Sequence, residues 1–174
     1  CVDEAYIEYS KNGEAGSMVS LVNELPNLII CRTFSKAYGL AGLRIGYAVS
    51  SKSTIQELGR RHTGWELSAG TIPLTGAMTS LKDNGFLQNV VSKNEEGRQI
   101  IYKAFDKWGV DYQDSSTNFI YAKSERFDKD LLAKLKAKNI LITKWPDMTH
   151  HIRISISKPS EMNQFVEHVE AFLL

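Results

Sequence analysis

The 174-residue sequence has no long apolar run, no excess of charge of one sign and very little cysteine. Its apolar stretches, such as 28–31, fall far short of the roughly 18 residues that a membrane-spanning helix needs. The net charge is +1 and both signs are well mixed, with no basic stripe and no acidic tail, which argues against a nucleic-acid partner. Only two cysteines occur, Cys1 and Cys31, both in apolar stretches. They read as reduced core thiols of a cytoplasmic protein rather than as a disulfide. The first residues carry Asp3 and Glu4 instead of a basic start and an apolar core, so no signal peptide is expected. Neither GxxxxGK[ST] nor GxGxxG occurs, which disfavours a nucleotide loop. His150 and His151 are consecutive, point to opposite faces and lack a second pair at ligand spacing, so no metal site is expected. There is no internal repeat and no low-complexity segment.

What remains is 43% hydrophobic and 24% charged, the composition of an ordinary globular protein large enough for one sizeable domain or two small ones. The opening Cys-Val-Asp reads as the end of a strand with nothing to pair against, and an amino-terminal part is expected to precede it. Residues 27–34 (NLIICRTF) predict a buried strand and 45–50 (IGYAVS) another short strand, on either side of an irregular stretch with three glycines in thirteen residues, 35–47. Helical spacing covers 52–61, 71–82 and 86–107, the last long enough to link two lobes, although Gly97 inside it weakens the pattern. Beyond Trp108-Gly109 the pattern changes. Strands are predicted at 110–113, 118–123, 139–143 and 151–157. Helices are predicted at 127–138 and 160–173, capped by Asp128 and Ser160. The chain therefore divides near residue 100 into an α/β piece, 1–100, and a small α+β lobe, 101–174.

Three groups of residues carry chemistry. Asp3, followed by Glu4-Ala5-Tyr6, lies at the carboxyl end of a predicted parallel strand, where open α/β sheets bind ligands; a turn cap with a packed tyrosine fits the same residues. Ser35-Lys36 follows a strand directly, and Arg44 comes eight residues later. An amine held out of water among small residues is a better nucleophile. An arginine binds phosphate with two parallel hydrogen bonds, and the hydroxyls of Thr33 and Ser35 are placed to donate to the same anion. By spacing alone, a solvated surface lysine beside a phosphate-free turn is the favoured reading. Arg153 sits in an alternating strand with Ile152, Ile154 and Ile156 on the opposite face. It is either a solvated face residue or a clamp for a carboxylate.

Taken together, Asp3-x-Ala5-Tyr6 and the stretch from Ser35-Lys36-Ala37-Tyr38-Gly39 through Leu43-Arg44-Ile45-Gly46-Tyr47 resemble the fold-type-I aminotransferases of class I/II. Among these, the chain is most similar to the histidinol-phosphate aminotransferase group. Thr117-Asn118-Phe119-Ile120 and Ile152-Arg153-Ile154-Ser155 extend the likeness over the whole chain.

The resemblance implies an α/β fold: part of the large domain of the aspartate aminotransferase-like pyridoxal-phosphate-dependent transferases, plus a small α+β carboxyl-terminal domain. It implies pyridoxal 5'-phosphate as cofactor, amino-acid and 2-oxo-acid substrates, a cytoplasmic homodimer in the full-length protein, and inactivity of this stretch alone. Lys36 would form the internal aldimine and move the substrate Cα proton. Asp3 would pair with the pyridine nitrogen and Tyr6 with the phenolic oxygen. Arg44, Ser35 and Thr33 would hold the phosphate, and Arg153 the substrate α-carboxylate. A decarboxylase of the same fold, or a ligand-sensing domain of a transcription regulator, are the alternatives. Two stretches depart from the group: Thr143, with Lys144 beside it, stands where an arginine is usual, and residues 61–66 replace an apolar, proline-containing loop. Both bear on recognition of a phosphorylated substrate.

Overall fold

A computed structural model describes residues 1–61, 69–143 and 150–173. The chain divides into two compact units, 1–90 and 91–174.

The first unit is built on a three-stranded sheet in the order β1-β2-β3. β1 (Val2–Asp3) runs parallel to β2 (Ile29–Thr33), with Asp3 opposite Cys31. β3 (Gly46–Ser50) returns antiparallel and pairs Gly46 with Thr33. Gly46 is required there, since a Cβ would meet the Arg32 carbonyl oxygen at 2.6 Å. Between β1 and β2 lie three short 3-10 helices, Ile7–Tyr9, Gly13–Gly16 and Met18–Leu21, in a segment whose sequence has no clear period. α1 (Lys52–Arg61) follows, with Glu57 paired to Arg61 at 2.8 Å one turn on. α2 (Thr71–Ser80) exposes Thr71, Thr75 and Thr79 at four-residue spacing. It places Ala77 against Phe34 and Ile45 and leaves Ile72 and Met78 exposed. The two cysteines are not core residues: Cys1 is exposed, Cys31 is half-buried and both are free.

α3 (Asn84–Trp108) runs from the first unit into the second. Its buried positions 94, 97, 98, 101, 102, 104, 105 and 108 recur at helical spacing and form one stripe. Gly97 has a packing reason: a Cβ would lie 2.7 Å from Ile156 Cγ2 and 3.1 Å from the Ser157 carbonyl oxygen. Helix propensity alone would make Gly97→Ala stabilising by about 1 kcal/mol. We expect the opposite, a loss of about 1–3 kcal/mol from overpacking. Urea denaturation reads the sign, and a gain in stability would refute the close approach. At the carboxyl end Gly109 turns left-handed (φ 65°), and Val110 N–H donates to Phe105 O at 3.0 Å.

The second unit carries a wholly antiparallel sheet, β4-β5-β6, made of Asp111–Tyr112, Phe119–Lys123 and His151–Ser155. Ile120, Ala122, Ile152 and Ile154 face the core with Ile101, Phe105, Leu131, Leu135 and Phe165. α4 (Lys129–Ala137) starts on Asp128, whose carboxylate accepts from Leu131 N–H at 2.8 Å, as the sequence predicts.

Three expectations are corrected here. Residues 139–142 are not a strand, because Asn139 takes a left-handed conformation (φ 60°) that closes α4, with Ile140 N–H bonded to Leu135 O. Only Thr143 reaches the sheet, as an isolated bridge to Arg153. α5 (Pro159–Leu173) begins before Ser160, so Ser160 is inside the helix rather than its cap. Pro159 fits the first turn, and Glu161 reaches back to accept from Lys158 N–H at 3.3 Å and from the Ser157 hydroxyl. Strand β6 stops at Ser155, short of the predicted 157. Lys144 and residues 62–66 lie outside the described residues.

Candidate active site

Six of the seven residues singled out from the sequence belong to the first unit: Asp3, Tyr6, Thr33, Ser35, Lys36 and Arg44. Asp3 ends β1, and Thr33 ends the parallel β2 beside it. One Asp3 oxygen, Oδ1, accepts from Ala5 N–H at 3.0 Å in a local turn. That bond fixes the carboxylate and leaves Oδ2 open to a second donor. Tyr6 enters the first 3-10 turn directly after.

Lys36 leaves β2 on a tight bend. Gly39 N–H donates to Lys36 O at 3.0 Å, Leu40 N–H donates to Phe34 O at 2.9 Å, and Gly39 is left-handed. Phe34 and Ala37 on either side are 5% and 1% exposed, so the backbone that carries Lys36 is pinned on both flanks. The Lys36 Nζ lies 5.2 Å from the centroid of the Tyr6 ring. The fold thus brings an amine and a phenol together from segments thirty residues apart in sequence.

The loop that starts at Phe34 closes on itself, since Phe34 N–H donates to Ile45 O at 3.2 Å beside the Thr33–Gly46 pair. Arg44 stands next to that closure in a left-handed conformation (φ 51°, ψ 49°), and its Nη1 donates to Ala41 O at 3.0 Å. Holding a non-glycine residue there costs roughly 1–2 kcal/mol. A glycine would relieve it. Thr33 and Ser35 form a local hydroxyl pair: Thr33 Oγ1 donates to Ser35 Oγ at 2.9 Å and accepts from Ser35 N–H at 3.1 Å.

Two arginines lie near this loop, and their partners separate them. Arg32 is held by Glu4 and Glu14 and accepts no further anion. Its side chain is 8% exposed, and Nε and Nη2 donate to Glu4 at 3.0 and 2.9 Å. Nη1 and Nη2 reach Glu14 at 2.6 and 2.8 Å. Arg44 is exposed and has no carboxylate partner among the described residues. Lys36 and Asp3 likewise form no ion pair among the described residues.

The sequence reading missed Glu4 and Arg32. Glu4 is buried and takes four donors, from Met18 N–H at 2.8 Å, Ser17 Oγ at 2.9 Å and twice from Arg32. Burial pushes its carboxyl up, but those donors and the positive charge outweigh it and hold it below the usual range. Burial likewise works against the Arg32 charge. The bonds to Glu14, Tyr47 and Glu4 win, and its pKa is held above the ordinary value. One signal was available: Arg32 interrupts an apolar strand on the face of the fully buried Ile30. Glu8 is the contrasting case, with Oε2 buried and unbonded among the described residues and its carboxyl pushed up by burial. The Tyr9 hydroxyl beside it is pushed up to about 12, first by burial and then by the Glu8 charge.

The seventh residue, Arg153, is in the second unit on β6. It faces away from Ile152 and Ile154, as the alternation predicts. Its Cζ lies 3.9 Å from the centroid of the Phe119 ring.

The family described as aminotransferase class I and II matches residues 1–169. A histidinol-phosphate aminotransferase of Brevibacillus brevis is 39% identical over 141 residues, covering 81% of this chain and 38% of that protein. A solved structure from Erwinia carotovora atroseptica, provisionally assigned as a histidinol-phosphate aminotransferase, superposes with a TM-score of 0.88 at 29% identity, over 98% of this chain and 49% of the other. The histidinol-phosphate aminotransferase of Sinorhizobium meliloti, solved in complex with pyridoxal-5'-phosphate, gives 0.80 at 28% identity over 98% and 48%. The chain spans about half the length, or less, of the curated relatives it matches.

Proposed function

This chain belongs to the class I and II aminotransferase family, and from that premise we propose that it is the lysine-bearing part of a pyridoxal-phosphate-dependent aminotransferase. The enzyme moves an amino group between an amino acid, or an amine like histidinol phosphate, and a 2-oxo acid. It acts as a cytoplasmic homodimer in amino-acid biosynthesis. Residues 1–100 are the carboxyl-terminal part of its cofactor-binding domain with the connecting helix, and 101–174 its small domain.

The observation that carries this reading is the Lys36 amine over the Tyr6 ring at 5.2 Å, with no competing ion pair among the described residues. The donor set fits the cofactor. It offers an amine for an aldehyde, an open carboxylate oxygen for a protonated ring nitrogen, a phenol for a phenolic oxygen, and an unneutralised guanidinium beside a hydroxyl for a phosphate. Bound pyridoxal phosphate supplies an electron sink for the pair of electrons left when the substrate Cα loses its proton.

The chain's own residues do the rest. Lys36 Nζ is the covalent anchor and, once released by substrate, the base that takes the proton at Cα. Asp3 Oδ2 holds the proton on the ring nitrogen. Tyr6 donates its hydroxyl to the phenolic oxygen. Arg44 meets the phosphate with its fork of donors. Ser35 and Thr33, whose hydroxyls lie 2.9 Å apart, supply donors to the same phosphate. Arg153 clamps the substrate carboxylate.

The test is an assay of the complete gene product, loaded with cofactor, against glutamate, histidinol phosphate and aromatic amino acids as donors. We expect amino transfer that depends on an added 2-oxo acid. Release of carbon dioxide without transfer, or no turnover with any donor, would contradict the reading.

A further inference from the structure

The second unit has a face that its core does not use. Along β5 and β6 the even-numbered residues pack inward, and the odd-numbered ones, Phe119, Tyr121, Lys123, His151, Arg153 and Ser155, share the other side. Directly opposed pairs on that side are Tyr121 with Arg153 and Lys123 with His151. The side chains do not stack on their direct partners. Arg153 lies over Phe119, two residues back along β5, at 3.9 Å. His151 stacks on Tyr121 with the same diagonal offset, at 5.4 Å and 17° between planes. Diagonal neighbours in a twisted antiparallel pair are within reach of long and aromatic side chains. Two nitrogen-bearing side chains thus climb a ladder of two aromatic rings.

The Phe119 rung is braced from behind. Its N–H donates to Thr117 Oγ1 at 3.1 Å, and its carbonyl accepts from the same hydroxyl at 3.0 Å and from Ser115 Oγ. The loop that supplies those hydroxyls is tied to α3: Asn94 Nδ2 donates to Thr117 O at 3.2 Å, Arg98 donates to Ser115 O, and Ser115 N–H donates to the Tyr102 hydroxyl at 2.7 Å. Asn94 and Arg98 are buried polar residues on the core stripe of α3, and this bracing accounts for both. Arg153 Nε is buried with no hydrogen-bond partner among the described residues. On the clamp reading, the Nη pair is what an incoming carboxylate meets.

We propose that Phe119 is a positioning residue for Arg153. Its ring fixes the plane of the guanidinium, so that both Nη groups present a flat edge to a ligand carboxylate. A guanidinium needs a defined plane to form two parallel bonds, and an aromatic face beneath it supplies that plane without competing for the donors. The inference rests on the reading of Arg153 as the carboxylate clamp, and the experiment separates the two.

The cofactor-loaded, full-length protein would be prepared as Phe119→Leu, Phe119→Tyr and Arg153→Ala, and succinate binding measured by calorimetry beside KM and kcat for glutamate. We expect Phe119→Leu to weaken succinate and raise KM for glutamate by about tenfold, with kcat within about twofold. Phe119→Tyr should restore both, because the ring is kept. Arg153→Ala should abolish succinate binding. If Arg153→Ala abolishes binding and Phe119→Leu leaves it unchanged, the positioning role is wrong and the clamp stands. If Arg153→Ala leaves binding unchanged, the clamp reading itself fails. A fall in kcat with unchanged succinate affinity in Phe119→Leu would overturn the proposal in favour of general destabilisation.

Discussion

Lys36→Ala in the complete, cofactor-supplied protein is expected to lower amino transfer by about a thousandfold or more, with little change in thermal stability. The size follows from what one side chain is asked to do. On the proposed reading it anchors the cofactor and moves the substrate proton, and loss of a positioned acid or base alone costs about 10²–10⁴ in rate. The small effect on stability follows from its contacts. Lys36 forms no ion pair among the described residues, and its contact with the Tyr6 ring at 5.2 Å is worth about 0.5–1 kcal/mol. The neighbours that hold the bend, Phe34 and Ala37, are untouched. Lys36→Arg is the sharper companion, because it keeps a cation over the ring but supplies no nucleophilic amine. It should be as inactive as the alanine variant. Substantial turnover in the arginine variant would mean that the charge, not the amine, matters.

The second large effect is on stability, at Glu4. The side chains of Glu4 and Arg32 are 4% and 8% exposed. Removing one member of a buried pair leaves the other desolvated and uncompensated, at about 3–5 kcal/mol. Glu14 still reaches Arg32 at 2.6 Å, so Glu4→Ala should fall at the lower end, about 3 kcal/mol. Met18 N–H and the Ser17 hydroxyl would also lose their acceptor.

The pH dependence has a definite sign. The Glu4 carboxyl is held below its ordinary value of 4.5 in the fold. Its contribution is therefore fully present above that ordinary value and is lost as pH falls through the lower folded value. Glu8 runs the other way. Burial raises it, so the stability it contributes is present at low pH and is lost as pH rises through the folded value. Glu4→Gln should accordingly flatten the acid-side loss of stability, and Glu8→Gln should stabilise the protein at neutral pH. Urea denaturation of each variant at about pH 7 and about pH 3.5 reads both slopes. Because Glu4 sits between Asp3 and Ala5, its loss should also weaken cofactor binding. A neutral Glu4→Ala would show that the buried pair does not hold this turn.

The limits of reading this chain from its residues are physical ones. Strands β5 and β6 and the α3 and α4 helices follow from periodicity because their burial comes from one stripe or one face, and alternation put Arg153 opposite Ile152 and Ile154; β2 follows from its short apolar run. Residues 139–143 carry strand-forming side chains, yet Asn139 is needed left-handed to close α4, and that local requirement outweighs propensity. Gly97 looks like a flaw in a helix until Ile156 is seen beside it. The 3-10 turns from Ile7 to Leu21 have no period to detect; they are held by Glu4 and Arg32, whose pairing across 28 residues no local pattern encodes. At the site, Lys36 and Arg44 stood out through the family resemblance rather than by spacing, and only the fold separates Arg44, with no carboxylate partner among the described residues, from Arg32, already paired. Phe119 stood in the sequence only as part of the Thr117-Asn118-Phe119-Ile120 match; its contact with Arg153 is a diagonal one that no local pattern encodes.

The most direct test of the central claim is borohydride reduction of the cofactor-loaded, full-length protein, followed by tryptic mapping. Reduction fixes the cofactor to the amine that holds it, and a modified Lys36 resists trypsin. The label is therefore expected on the peptide 33–44, between the cleavage sites at Arg32 and Arg44, with Lys36 uncut inside it. A label on any other lysine, or none, would contradict the account.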